Sequence, residues 1–153
     1  MDLFFLRHAN ADTKAATDAE RPLSEKGIAQ SGQIARFCET HGITPALILT
    51  SPLVRARETA GIVAKQLRAE LKTVPWLASG MRPDTALREL RSYAELASVM
   101  IVGHEPDFST LAAELLGGAA QLHLRKGSLT HFYVRELRTG GGVLEFTLPP
   151  KFT

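Results

Sequence analysis

Leu3-Phe4-Phe5-Leu6-Arg7-His8-Ala9 is a run of four apolar residues that stops abruptly at an arginine and a histidine. Four apolar side chains with no polar alternation suit a strand covered on both faces, the condition of a parallel sheet between two helical layers. The pattern recurs twice. Ala46-Leu47-Ile48-Leu49 leads into Thr50-Ser51-Pro52, and Val99-Met100-Ile101-Val102 leads into Gly103-His104.

Helical segments separate these runs. Ser24 can cap a helix reaching about His41, with Ile28, Ile34, Ala35 and Cys38 inward and Gly42 ending it. Ser51-Pro52 reads as a helix start, with Ser at the N-cap and Pro at the first helical position; Leu53, Ala56, Ala60, Val63, Ala64 and Leu67 then recur at helical spacing. Leu71 to Val74 suits a short strand, Asp84 can cap a helix burying Leu87 and Leu90, and a helix around Leu111 to Leu116 stops at Gly117-Gly118. Leu129 to Val134 and Val143 to Leu148, separated by Gly140-Gly141-Gly142, suit an antiparallel pair. The expected fold is α/β: a three-layer α/β/α sandwich whose sheet is mainly parallel with an antiparallel edge. No repeat or linker divides the chain, so residues 1–153 are read as one domain.

Composition narrows the classes of partner. The chain is 44% hydrophobic and 22% charged, with a formal net charge of only +2, which gives no case for a nucleic-acid or membrane surface. A sequence pI near 8.9 leaves room for a local cationic pocket. Cys38 is the only cysteine, so no intramolecular disulfide forms and a reducing cytoplasm is the expected setting. With apolar neighbours in a helix, Cys38 reads as core packing. Met1 to Arg7 has neither the basic start nor the long apolar stretch of a signal peptide or a membrane span.

The chemistry lies where the strands end. Ligands of open α/β sheets bind beyond the carboxyl ends of the strands, and those ends here carry Arg7-His8, Ser51 with Arg55 just inside the following helix, and Gly103-His104. Long helical side chains lean toward the helix N-terminus, which points Arg55 back at the strand ends beside free N–H groups and a positive dipole. Two guanidinium groups, two imidazoles and a helix N-terminus then meet. Arginine binds phosphoryl oxygens in a planar fork and keeps its charge. A neutral imidazole can attack phosphorus, and neighbouring arginines favour neutrality. A protonated second imidazole, a part that suits His104, can donate to the oxygens of the transition state.

Other phosphoryl chemistries fit less well. A cysteine phosphatase needs an arginine six positions after its cysteine, and that position after Cys38 is Thr44. Metal-dependent hydrolysis needs carboxylates and histidines gathered around a cation, whereas His8 and His104 have arginines beside them; no metal or cofactor is expected. His41 reads as a helix C-terminal partner, His123 and His131 as structural, and Lys126 as a solvated turn residue at the rim of the pocket.

Leu6-Arg7-His8-Ala9, Ser51-Pro52-Leu53-Val54-Arg55-Ala56 and Val102-Gly103-His104-Glu105-Pro106 together resemble the histidine phosphatase superfamily in order and spacing. The resemblance implies that His8 is the phosphorylated nucleophile and that Arg7, Arg55 and His104 complete the phosphate pocket. Ala9 stands where the family usually has glycine, a change that keeps a small residue there. Short length and the segment Asp18-Ala19-Glu20-Arg21-Pro22-Leu23-Ser24 are most similar to phosphohistidine phosphatases of the SixA type, which implies that Arg21 also binds phosphate.

Larger members of that superfamily place a general-acid carboxylate between the second and third motifs. Here Lys65 to Ser98 is short, Glu89 and Glu95 fall in helical segments, and neither Asp18 nor Glu105 matches the usual acid. Expelling an alkoxide without a proton donor is demanding; a protonated imidazole leaves readily. The expected substrate is therefore a phosphohistidine-bearing protein, a phosphotransfer domain or phosphocarrier. A small-molecule phosphomonoesterase and a non-enzymatic phospho-ligand binding module are the alternatives.

Overall fold

The computed structural model describes residues 1–153. Six strands form one sheet: β1 (Asp2–Arg7), β2 (Leu47–Thr50), β3 (Leu71–Thr73), β4 (Ser98–Gly103), β5 (Leu129–Val134) and β6 (Gly142–Leu148). Their order across the sheet is β3-β2-β4-β1-β5-β6. The first four run parallel; β5 joins β1 antiparallel, and β6 closes the antiparallel edge.

Alternation along the strands divides the apolar side chains between two cores. Leu3, Phe5, Leu49, Val99 and Ile101 pack on α3 (Pro83–Leu90) and α4 (Asp107–Leu115) through Leu87, Leu90, Phe108 and Leu111. Phe4, Leu6, Ile48, Met100 and Val102 pack on α1 (Glu25–Thr40) and α2 (Val54–Leu67) through Ile34, Cys38, Ala60 and Val63. This is the expected α/β/α sandwich. No helix is long and apolar enough to cross a membrane. Burial pushes the Cys38 thiol up to about 12, so it stays protonated within the core.

Strand register sets the functional end of the sheet. Arg7 pairs with Gly103, and Thr50 with Val102. The ladder extends one residue further, because His8 N–H donates to the Gly103 carbonyl and Ser51 N–H to the Val102 carbonyl, both at 3.0 Å. His8, Ser51 and His104 thus leave three adjacent strands at one level.

Two close approaches hold the surroundings. A Cβ on Gly27 would stand 1.9 Å from the Asn10 carbonyl oxygen, so only a bare Cα lets α1 dock on the loop that follows His8. Ser24 caps the helix as expected, its hydroxyl accepting from Gly27 N–H at 3.1 Å and donating to the Asn10 side chain at 2.6 Å. A Cβ on Gly103 would meet the Phe108 ring at 2.9 Å.

Several local expectations are corrected. Ser51 is not the cap of α2: Leu53 is still extended, at φ −66° and ψ 139°, and the helix begins at Val54. Asp84 lies inside α3, which starts at Pro83, and α4 begins at Asp107, earlier than its apolar pattern suggests. Ile28 is 52% exposed, because the buried stripe of α1 runs through Gly27, Ser31, Ile34 and Cys38, and one residue further turns about 100° away. His41 does end α1, with Nδ1 at 2.9 Å from the Phe37 carbonyl. His131 bonds to the Asp2 carboxylate at 2.8 Å and stacks on Phe4.

Candidate active site

His8 follows β1 and is 7% exposed. Its Nδ1 lies 2.8 Å from the Ala9 carbonyl oxygen. A carbonyl can only accept, so Nδ1 carries the proton and Nε2 presents its lone pair. Arg55 Nε donates toward that lone pair from 3.4 Å. Burial, chiefly, pushes the His8 pKa down to about 3 against the opposing pull of the Ala9 hydrogen bond, and the charges of Arg55 and Arg7 add to the lowering. The imidazole is therefore neutral at physiological pH, in the tautomer that leaves Nε2 unprotonated, with only the long Arg55 hydrogen bond to be given up before it can attack.

His104 leaves β4 on the neighbouring strand, its ring centroid 5.2 Å from that of His8. Its Nε2 lies 2.7 Å from Ser51 Oγ, while its buried Nδ1 has no hydrogen-bond partner in the protein. Burial and then Arg55 push its pKa down to about 4. In this structure His104 is accordingly neutral, not the imidazolium the sequence suggests. A bound dianion would reverse the electrostatic part of that shift.

Arg55 occupies the second position of α2 and points back to the strand ends. Its Nη1 donates to the Asp18 carbonyl at 2.8 Å, and its Nη2 to the Asp18 carboxylate at 3.2 Å. Arg7, at the end of β1, donates from Nη1 to the Leu124 carbonyl at 2.9 Å, and its buried Nε has no partner. Buried polar atoms without partners are rare in folded chains, and two of the three in this protein, Arg7 Nε and His104 Nδ1, belong to this cluster, the third being Ser128 Oγ. Arg21 is one carboxylate removed from it: Nη1 meets Asp18 at 3.1 Å and Nε the Asp12 carbonyl at 2.8 Å. Asp18 thus ties Arg21 to Arg55, and its carboxyl is held below the usual range first by Arg21 and then by Arg55.

Three residues escape a reading of local pattern. Ser51 accepts from Leu53 N–H at 3.2 Å and also meets His104, 53 positions away. Thr59 is fully buried; its hydroxyl donates to the Arg55 carbonyl at 2.7 Å and accepts from Ala9 N–H at 3.1 Å, fastening the His8 loop to α2. Asp18 joins the arginines. Helical spacing from Arg55 is the only signal for Thr59, and nothing local marks Ser51 for His104.

Glu105 accepts from both the backbone N–H and the hydroxyl of Ser109 at the start of α4. Glu89 is paired with Arg88 at 3.4 Å. Asp18 is the carboxylate whose charge acts on His104, and it is ionised.

A neutral, tautomer-fixed imidazole with two guanidinium groups and a second imidazole, all at the carboxyl end of a doubly covered sheet, defines a phosphatase with a histidine nucleophile as its class. The chain belongs to the histidine phosphatase superfamily (branch 1), whose family model matches residues 3–79. It is 25% identical over 154 residues to the phosphohistidine phosphatase SixA of Escherichia coli, covering 98% of this chain and 94% of that one. It is 29% identical over 145 residues to the 5''-phosphoribostamycin phosphatase of Niallia circulans, covering 87% of this chain and 64% of that one. Among solved structures, the protein histidine phosphatase SixA in complex with tungstate superposes with a TM-score of 0.91 at 25% identity, over 99% of both chains.

Proposed function

We propose that this phosphatase hydrolyses phosphohistidine on proteins, with His8 as the transient phosphoryl carrier. The observation that carries the reading is the pairing of a neutral His8, its Nε2 unprotonated and met only by a long hydrogen bond from Arg55, with a nearby carboxylate that its arginines keep ionised. The site supplies a nucleophile and a clamp without a carboxylic acid to protonate a leaving alkoxide. The likeness to SixA proteins supports the same reading.

The chemistry balances without an external acid. His8 Nε2 attacks phosphorus as the P–N bond to the substrate histidine breaks. When the other nitrogen of that substrate ring carries a proton, the ring departs as neutral imidazole. Phospho-His8 keeps its own Nδ1 proton on the Ala9 carbonyl, so it is in turn a protonated phosphoimidazole. Water attacks phosphorus, the P–Nε2 bond breaks, neutral His8 returns, and the water's protons pass to the released phosphate and the medium. Arg7 and Arg55 hold the equatorial oxygens in this scheme, and His104, oriented by Ser51, donates to one of them. Arg21 adds its charge through Asp18.

The test is labelling with phosphoramidate. Wild-type protein should acquire an acid-labile, alkali-stable phosphoryl group that His8→Ala lacks; turnover by His8→Ala near the wild-type rate would sink the assignment. A small-molecule phosphomonoester substrate is the second reading, favoured by the likeness to 5''-phosphoribostamycin phosphatase. Hydrolysis of alkyl phosphates as fast as phosphoramidate would select it.

A further inference from the structure

Arg7 borders a cavity of about 410 Å³, whose wall also carries Lys26, His123, Arg125, Lys126 and Lys151. No carboxylate lines it. Lys26, Arg125, Lys126 and Lys151 come from three separate segments: the first turn of α1, the turn before β5 and the C-terminal turn. None of the four is in an ion pair, although arginines elsewhere on the surface find acidic partners. Five lysine and arginine side chains around one opening are a large local concentration of basic groups on a chain whose net charge is only +2.

The wall is fixed rather than loose. Gly127 N–H donates to the Arg7 carbonyl at 3.1 Å and to the His8 carbonyl at 3.2 Å, and Arg7 N–H donates to the Ser128 carbonyl at 3.1 Å. Gly127 has φ +71°, and a Cβ there would meet Pro150 at 2.8 Å and Gln30 at 3.4 Å. The Lys126 turn, α1 and the C-terminal turn therefore close on one another at a residue bonded to the nucleophile's own backbone. Whatever the cavity holds lies beside the phosphoryl group that His8 receives.

We propose that this cavity receives acidic side chains of the phosphoprotein, so that the enzyme selects phosphohistidines with aspartate or glutamate nearby. This rests on the reading of the substrate as protein phosphohistidine. Apart from Arg7, the cations are exposed side chains, suited to steering and matching a charged protein surface. A dedicated small-anion site would instead direct buried donors at one point.

The test compares two phosphohistidine peptides that differ only in their flanks, one with aspartate and glutamate, the other with serine and glutamine. The wild-type protein should favour the acidic peptide by about tenfold in kcat/KM, mainly through KM, and the preference should shrink as salt rises. Lys26→Glu with Lys126→Glu should abolish or invert it, and Lys126→Gln with Lys151→Gln should weaken it. The ratio of the two peptides is the readout, so a general loss of activity cancels. Equal use of both peptides by the wild type, or a preference unchanged in both variants, overturns the proposal. Inhibition by tripolyphosphate that the glutamate variant loses, with no peptide preference, would also overturn it and assign the cavity to small polyanions. If phosphoramidate fails to label wild-type His8, the underlying reading fails instead.

Discussion

Lowering the pH from 7.5 to 5 separates the folded protein from the unfolded chain at the two site imidazoles. Both start from an ordinary value of 6.5, and the fold pushes His8 to about 3 and His104 to about 4. Between those limits the unfolded chain binds a proton on each ring and the folded chain does not. Stability therefore falls as the pH falls through 6.5, and stops falling on this account only near the folded values. At pH 5 both folded values lie well below the solution pH, so the loss depends on the unfolded value alone. It amounts to about 2 kcal/mol per histidine, or about 4 kcal/mol for the pair. Asp18 does not interfere, because a carboxyl held below its usual range is ionised in both states throughout this window. Urea unfolding of the wild type and of His8→Gln/His104→Gln at several pH values gives the difference directly, since every other group titrates alike in both. Parallel stability curves would show that the folded protein protonates these rings as easily as the unfolded chain, and the picture of a neutral, desolvated nucleophile would be wrong.

Asp18→Asn should tighten inhibition by inorganic phosphate about fivefold, because a largely exposed carboxylate that now occupies Arg21 and Arg55 no longer competes with the dianion; weaker inhibition would mean that Asp18 serves to position Arg55. Ser51→Ala leaves His104 Nε2 without its bond and should lower phosphoramidate turnover by about 5- to 150-fold while the melting curve shows a folded protein. Gly27→Ala should destabilise the protein by about 1–3 kcal/mol in urea unfolding, because the added methyl overlaps the Asn10 carbonyl in a packed contact; unchanged stability would mean that the α1 docking is not tight.

The apolar runs at Leu3, Leu47 and Val99 carry the sheet because each is covered on both faces, so strand, layer and strand end are all encoded locally. The same property makes Arg7, His8 and His104 legible: each directly ends a run or follows it by one residue. Ser51 shows where local encoding stops. A serine before a proline is a good helix start on its own, but this hydroxyl is shared with a histidine on another strand, and the Pro52-Leu53 segment stays extended before α2 begins. Thr59 and Asp18 work through bonds across 50 and 37 positions, which no window along the chain contains. Arg21 was placed by resemblance to a motif, and the structure adds what the motif lacks, the carboxylate that connects it to Arg55.

His8 itself gains most from the three-dimensional view. Sequence suggests that arginines keep the nucleophile neutral, and charge does contribute, but burial is the larger cause. The difference matters for mechanism. Charge alone would be cancelled when a phosphoryl dianion arrives between the guanidinium groups, whereas burial remains; the Ala9 carbonyl works against neutrality but fixes which nitrogen holds the proton. In the proposed reaction the Nδ1 proton then stays in place through both half-reactions, directing attack through Nε2 in the first and making phospho-His8 a competent leaving group in the second. A site that holds its proton this way needs no carboxylic acid when the other leaving group is also an imidazole, and it is poorly equipped when that group is an alkoxide. The arrangement of a single hydrogen bond, from His8 to the next residue's carbonyl, thus ties the tautomer of the nucleophile to the kind of phosphoryl bond the enzyme is suited to break.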